Sequence, residues 1–196
     1  MIAWCDLPMA IVFHPITPPT DEELMQLHEL NGGYSVERLA DGSLLVTPNG
    51  AIGDARNAEL VLQLMVWSKA TKLGPTLGPT AGYRLPDSSV FAPDGSFIRA
   101  ERWNALSRAE REDYFRGAPD AVFEIRSKSD RHGAQVRKCE SWARAGAQLV
   151  LLVDPYEKTV DRWLDGVHEE LGTVSFVDCD PVMPGFVLDV DALLDV

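Results

Sequence analysis

The stretch that most narrows the fold is Leu149-Val150-Leu151-Leu152-Val153, an apolar run introduced by Gln148 and closed by Asp154-Pro155. A half-buried strand alternates apolar and polar residues, so an unbroken run is expected of a strand covered on both faces. Ahead of it, Asp130 to Ala145 has helical spacing, with Val136, Cys139, Trp142 and Ala143 inward and Gly146 as its stop. Earlier still, Asp120 to Ser127 reads as a strand. Strand, helix, strand in this order predicts a right-handed crossover between two parallel strands.

The flanks add smaller pieces. Residues 1–20, apolar and ending in Pro15-Ile16-Thr17-Pro18-Pro19-Thr20, read as an extended arm. Thr20 or Asp21 can cap a short helix through Leu30, stopped by Asn31-Gly32-Gly33. Tyr34–Leu39 and Ser43–Thr47 form a hairpin about Asp41-Gly42. A long helix is expected from Asp54 to Lys72, with Leu60, Leu64, Trp67 and Ala70 on its inner face. Val61, Met65 and Val66 broaden that face, so the helix should be buried on more than one side. Ser88–Ala92 and Ser96–Ile98 bracket Pro93-Asp94-Gly95, and Ser107-Arg108-Ala109-Glu110 has capping-box spacing. Short alternating strands with glycine turns follow from Thr159 to Val177, then an extended piece at 184–188 and a terminal turn capped by Asp189 or Asp191. No linker or repeat divides the 196 residues, so one mixed α/β domain is expected over 1–196.

Composition excludes some roles. Cys5, Cys139 and Cys179 are far apart and odd in number, which suggests a reduced cytoplasmic protein without a disulfide scaffold or zinc module. Cys139 reads as a packed small hydrophobe. No stretch has the length of a membrane span, and no basic leader opens the chain. His14, His28, His132 and His168 show no ligand spacing. The net charge of −12 argues against nucleic-acid binding through the whole surface. Residues 99–144 nevertheless hold 11 Lys/Arg against 8 Asp/Glu, and an anionic ligand would sit best there. A solvated helix face explains the imbalance equally well.

Two acids stand where strands should meet loops: Asp94, after Val90-Phe91-Ala92-Pro93, and Glu124, inside Ala121-Val122-Phe123-Glu124-Ile125. A carboxylate on an apolar strand needs a cation or donors. Two of them close together repel, unless a metal ion or basic side chain lies between. Arg126 is expected on the same strand face as Glu124, and Lys138 on the next helix. Glu37, on the first hairpin, is a third available carboxylate. Mg²⁺ or Mn²⁺ held by Asp94 and Glu124, with the Ile125 carbonyl as a third oxygen, would suit phosphodiester hydrolysis. Arg126 could steady the phosphate but could not act as a base. Each residue also has a plainer role. Asp94 is a common turn residue, Arg126 could merely pair with Glu124, Lys138 could be solvated, and Glu37 could pair with Arg38 or Arg56. Trp103 and Trp142 read as core residues.

With these residues in view, the chain resembles the Uma2 family, also called DUF820. The resemblance is carried by Glu37 with Asp41-Gly42, Thr47-Pro48-Asn49-Gly50, Arg56-Asn57-Ala58-Glu59-Leu60, Arg84-Leu85-Pro86, Pro93-Asp94, Glu101-Arg102-Trp103, Pro119-Asp120, Glu124–Asp130, Lys138, Gly146, Asp154-Pro155 and Leu188. It implies the PD-(D/E)XK, restriction-endonuclease-like fold. That is a central sheet flanked by helices, here with an N-terminal hairpin and C-terminal strands added. Lys128 stands where the family has proline, and Arg126 where the nuclease pattern has lysine. A family lysine falls at Lys138, which could supply that cation. The function implied is a metal-dependent endonuclease acting on DNA, with Asp94 and Glu124 on the metal. A catalytically inactive binding or assembly module of the same fold, and a small-molecule phosphodiesterase, are the competing readings. A homodimer could use the 1–16 arm and the tail strands.

Overall fold

A computed structural model describes residues 10–30 and 33–196. In chain order the strands are β1 (Ile11–Phe13), β2 (Tyr34–Arg38), β3 (Leu44–Pro48), β4 (Thr76–Leu77), β5 (Tyr83–Arg84), β6 (Val90–Phe91), β7 (Gly95–Phe97), β8 (Phe115–Arg116), β9 (Ala121–Ile125), β10 (Leu149–Asp154), β11 (Thr159–Leu164), β12 (Val167–Gly172), β13 (Phe176–Asp178) and β14 (Val187–Asp189). The helices are α1 (Asp21–Leu30), α2 (Ala51–Thr71), α3 (Ala100–Ala105), α4 (Arg108–Arg111), α5 (His132–Arg144) and α6 (Val190–Leu194). One six-stranded sheet runs β12-β11-β10-β9-β7-β4, a second runs β1-β3-β2-β6-β5-β8, and β13 pairs with β14.

The apolar run behaves as expected. β9 and β10 are parallel, with Leu149 opposite Ala121 and Val153 opposite Ile125, and all of β10 is buried. Its side chains alternate between two cores. Leu149, Leu151 and Val153 join Ala121 and Phe123 against α2 and the C-terminal tail. Val150 and Leu152 join Val122 against α5 and the second sheet. Glu124 follows the even-numbered phase and so turns toward α5.

The antiparallel pairing of β7 with β9 sets Gly95 opposite Phe123. Extending that register by one step brings Asp94 alongside Glu124. Gly95 also lets α2 lie close, since a Cβ there would meet Leu64 Cδ1 at 2.7 Å and Leu60 Cδ2 at 3.0 Å. The hairpin β2–β3 forms as read, with Gly42 at φ 84° and Asp41 accepting from the Ser43 amide at 2.9 Å.

The structure settles several alternatives and corrects one expectation, the burial of α2 on more than one side. Residues 11–13 of the arm join the second sheet beside β3, while residues 1–9, including Cys5, lie outside the described residues, as do Asn31 and Gly32. Thr20, not Asp21, caps α1, accepting from the Glu23 amide at 3.2 Å and donating to its carboxylate at 2.8 Å. α2 is buried on one side: Leu60, Leu64 and Trp67 are covered, but Leu62 and Val66 are 56% and 62% exposed, and Ala70 is exposed. Its apolar residues are spread too evenly around the helix for one neighbour to cover them all. Asp189 caps α6 by accepting from Ala192 N–H at 3.0 Å.

Candidate active site

Four charged side chains converge between the sheets. Lys138, in the second turn of α5, reaches inward and places Nζ 2.9 Å from Glu37 Oε1 and 2.9 Å from Glu124 Oε1. It also donates to Glu124 Oε2 at 3.0 Å and lies 3.5 Å from the Ala92 carbonyl. Lys138 is therefore a largely covered ion-pair residue rather than a solvated one. Glu37 accepts from the Ala92 amide at 2.9 Å, so its partners are Lys138 and the β6 end, not Arg38 or Arg56. Trp142, one turn beyond Lys138, donates from Nε1 to Glu124 Oε1 at 2.8 Å. Asp94 accepts from the Ile125 amide through Oδ2 at 2.7 Å.

Sequence spacing explains the convergence. Lys138 and Trp142 are four residues apart on one helix face, and that face lies over β9. Glu124 lies on β9, Asp94 in the bend just before β7, and Glu37 on β2 in the other sheet. Phe91 lies beneath the ammonium, 5.7 Å from Nζ to the ring centre. Trp142, Phe91 and Val122 make the surroundings apolar.

Electrostatics follow from this burial. Glu124 loses its water, which pushes its carboxyl up to about 8; the Lys138 charge opposes the rise, and Asp94 and Glu37 add to it. The Asp94 carboxyl is also raised by burial, against the Ile125 amide, Lys138 and the Asn57 side chain. Burial would lower the Lys138 ammonium, but Glu124 and Glu37 outweigh it and hold it firmly protonated. Three carboxyl groups crowd about one ammonium, two of them in contact with it, and the shortage of positive charge is what favours protons on the acids. Among the described residues no three His, Cys, Asp or Glu side chains already form a metal cage, because the ammonium stands between two of the acids.

Arg126 goes elsewhere, contrary to the expected shared cleft. The Arg126 amide still donates to the Val153 carbonyl at 2.9 Å, so the β9–β10 ladder carries one step further and sets Arg126 beside Asp154 instead of the cluster. Its Nε donates to Asp154 Oδ2 at 2.6 Å, Nη1 donates to the Asp130 carbonyl at 3.1 Å, and the guanidinium lies 4.9 Å from the Tyr156 ring centre. Asp154 is fully buried, yet its carboxyl is held below the usual range. Burial raises it, but Arg126 and the amides of Glu157 and Tyr156 together prevail. His132 Nδ1 lies 3.3 Å from the same Asp154 oxygen. Trp142, Asn57 and Asp154 were not singled out by sequence reasoning as site residues. Trp142 carried a usable signal, being one helical turn from Lys138, whereas a contact with Glu124 had none. A surface cavity of about 860 Å³ lies by Pro18, Asp21, Arg38, Asp41 and Arg84, and none of the four cluster residues lines it.

A mixed sheet that presents acids at a strand end, with a lysine from the crossover helix between them, defines a restriction-endonuclease-like α/β protein. The chain belongs to the Uma2 family, whose profile, described as putative restriction endonuclease, matches residues 21–191. Among solved structures it is similar to a putative nuclease of DUF820 from Anabaena variabilis. That likeness has a TM-score of 0.74 at 18% identity and covers 91% of this chain and 98% of the other. No curated protein matches the sequence.

Proposed function

We propose that this chain is a metal-dependent endonuclease that hydrolyses phosphodiester bonds in DNA. The observation that carries the reading is the crowding of acids about Lys138: Glu37 and Glu124 each lie 2.9 Å from its ammonium, and Asp94 sits beside Glu124 on the Ile125 amide. The donor chemistry fits a hard divalent cation. Carboxylate oxygens suit Mg²⁺ or Mn²⁺, and acids whose proton affinity is raised gain by exchanging that proton for a metal. Asp94 and Glu124 would hold the cation. The Ile125 carbonyl is the third candidate oxygen, since it leaves β9 on the same edge as the amide that meets Asp94. Such a cation polarises a phosphoryl oxygen and activates water.

The chain's own residues do the rest. Lys138 keeps its proton and offers an ammonium to charge that develops on phosphate oxygens. Glu37 fixes that ammonium from the second sheet, and Trp142 fixes the Glu124 carboxylate from α5. Phe91 and Trp142 keep water from the pair, which strengthens each charge interaction. Arg126, engaged by Asp154, is not beside the reacting centre; Lys138 takes the lysine role. A second reading, a non-catalytic binding or assembly module, is favoured by Lys138 already neutralising Glu124.

Mg²⁺- or Mn²⁺-dependent cleavage of plasmid and single-stranded DNA, with Glu124→Gln as control, separates the two. Divalent-dependent cutting lost in Glu124→Gln supports the enzyme. Absence of cutting under every metal supports the module. Cleavage of a chromogenic diester without cleavage of plasmid would reassign the substrate to small phosphodiesters.

A further inference from the structure

A buried guanidinium needs acceptors, because its charge and its donors both lose water. Two arginines are buried almost equally, Arg38 at 6% exposure and Arg56 at 8%. Arg38 is fully served: it donates to the Asp21 carboxylate at 2.6 Å, the Pro19 carbonyl at 2.8 Å and the Ser88 carbonyl at 3.0 Å. Arg56, near the start of α2, has no hydrogen-bond or ion-pair partner among the described residues, and its Nε is a buried donor without an acceptor. Its guanidinium meets the Tyr156 ring at 5.7 Å. An unmatched buried donor is expensive, and a native structure that keeps one has a reason for it.

The surroundings indicate what the missing acceptor is. Tyr156 is 40% exposed, so the place opens to solvent. Arg126 meets the same ring at 4.9 Å. Its charge is balanced by Asp154, so among the described residues no carboxylate is left to pair with Arg56. The neighbouring Glu157 carboxylate is exposed and makes no close ion pair with either guanidinium, although its charge acts on Arg126. Asn57, the next residue after Arg56, acts on Asp94, so this group adjoins the proposed catalytic cluster.

We propose that Arg56, Arg126 and Tyr156 form a subsite for a backbone phosphate of a polynucleotide, beside the cluster of Asp94, Glu124 and Lys138. Arg56 supplies the free charge-assisted donors, and Arg126, already paired with Asp154, packs against the same Tyr156 ring. The half-exposed ring offers an apolar face on which a sugar or base can rest. This assignment relies on the nucleic-acid reading above only for the carrier of the phosphate. The subsite also accommodates the acidic chain: it needs one local patch rather than a basic surface.

The test is binding of a labelled single-stranded or duplex oligonucleotide to the full chain in EDTA, where no metal-dependent cutting occurs, across a salt series. Arg56→Gln is expected to weaken binding by about tenfold or more and to reduce the slope of log affinity against log salt by about 1. Arg56→Lys should recover part of the affinity, and inorganic phosphate should compete. Arg56→Gln should melt no lower than wild type, because the arginine's donors are unmatched; a purely structural arginine would do the opposite. Tyr156→Ala, at a half-exposed position, gives a second reading of affinity should Arg56→Gln fail to fold. Unchanged affinity and salt slope in Arg56→Gln overturn the subsite, as does a misfolded Arg56→Gln with unchanged binding in Tyr156→Ala. Stabilisation by inorganic phosphate without oligonucleotide binding also overturns it. Cleavage in Mn²⁺ with Arg56-independent binding sinks the subsite and leaves the nuclease intact; Arg56-dependent binding without cleavage does the reverse.

Discussion

Glu124 and Arg126 are two residues apart, yet their charges are handled in opposite ways. Glu124 sits in an apolar cleft where three carboxyl groups surround one ammonium, and its proton affinity is raised. Arg126 meets one buried carboxylate, Asp154, which two backbone amides also serve, and that acid's proton affinity is lowered. The first region is short of positive charge; the second is balanced. A balanced pair is an adequate end in itself, whereas an unbalanced one is poised to take up a cation. The two regions should therefore answer pH with opposite signs. A raised carboxyl contributes stability that is complete below its ordinary value and lost as pH rises through the folded value. For Glu124 that window runs from about 4.5 to about 8. Asp154 contributes stability above its ordinary value of 3.8, lost as pH falls through its lowered folded value.

The comparison breaks first at Lys138. Lys138→Met strands Glu37 and Glu124 together, and should cost about 3–5 kcal/mol in denaturant unfolding near neutral pH. The loss should shrink in acid as the carboxyls take up protons; an equal loss at both pH values would show that the ammonium does not serve these acids. Glu124→Gln should flatten the fall in stability between about pH 4.5 and 8, seen as a melting temperature that no longer drops across that window.

Arg126→Met should cost about 1–3 kcal/mol, since Asp154 keeps its two amide donors. That loss should vanish below the ordinary aspartate range, opposite to the trend at Glu124. Trp142→Phe removes one donor from Glu124 and keeps most of the packing, so about 1 kcal/mol is expected, greater on the alkaline side. Arg108→Ala, at an exposed helix pair with Glu112, should leave both pH profiles unchanged and serves as the control.

Much of this was legible in the residues. The apolar run of β10, the glycine stop after α5 and the capping box at Ser107 are local signals, and each held to within a residue or two. The misreadings came where tertiary context overrules local pattern. The apolar residues of α2 suggested burial all round, but only one face finds a neighbour. Arg126 was assigned to the Glu124 cleft by strand alternation, but one step along the ladder it meets Asp154 instead. Lys138 could be nominated, but its depth could not be read from a helix that carries Arg137 and Glu140 beside it.

From residue order alone came the parallel pair β9–β10, its connecting helix, the acid within an apolar strand and the lysine downstream. These follow from periodicity, turn chemistry and the cost of burying charge, which act over a few residues. Only the folded chain decided that Glu37 crosses from the other sheet to share Lys138, that Asp154 claims Arg126, and that Arg56 is left unmatched among the described residues. Those outcomes depend on which distant groups meet in space and how much water they lose, and neither quantity is a property of any short segment.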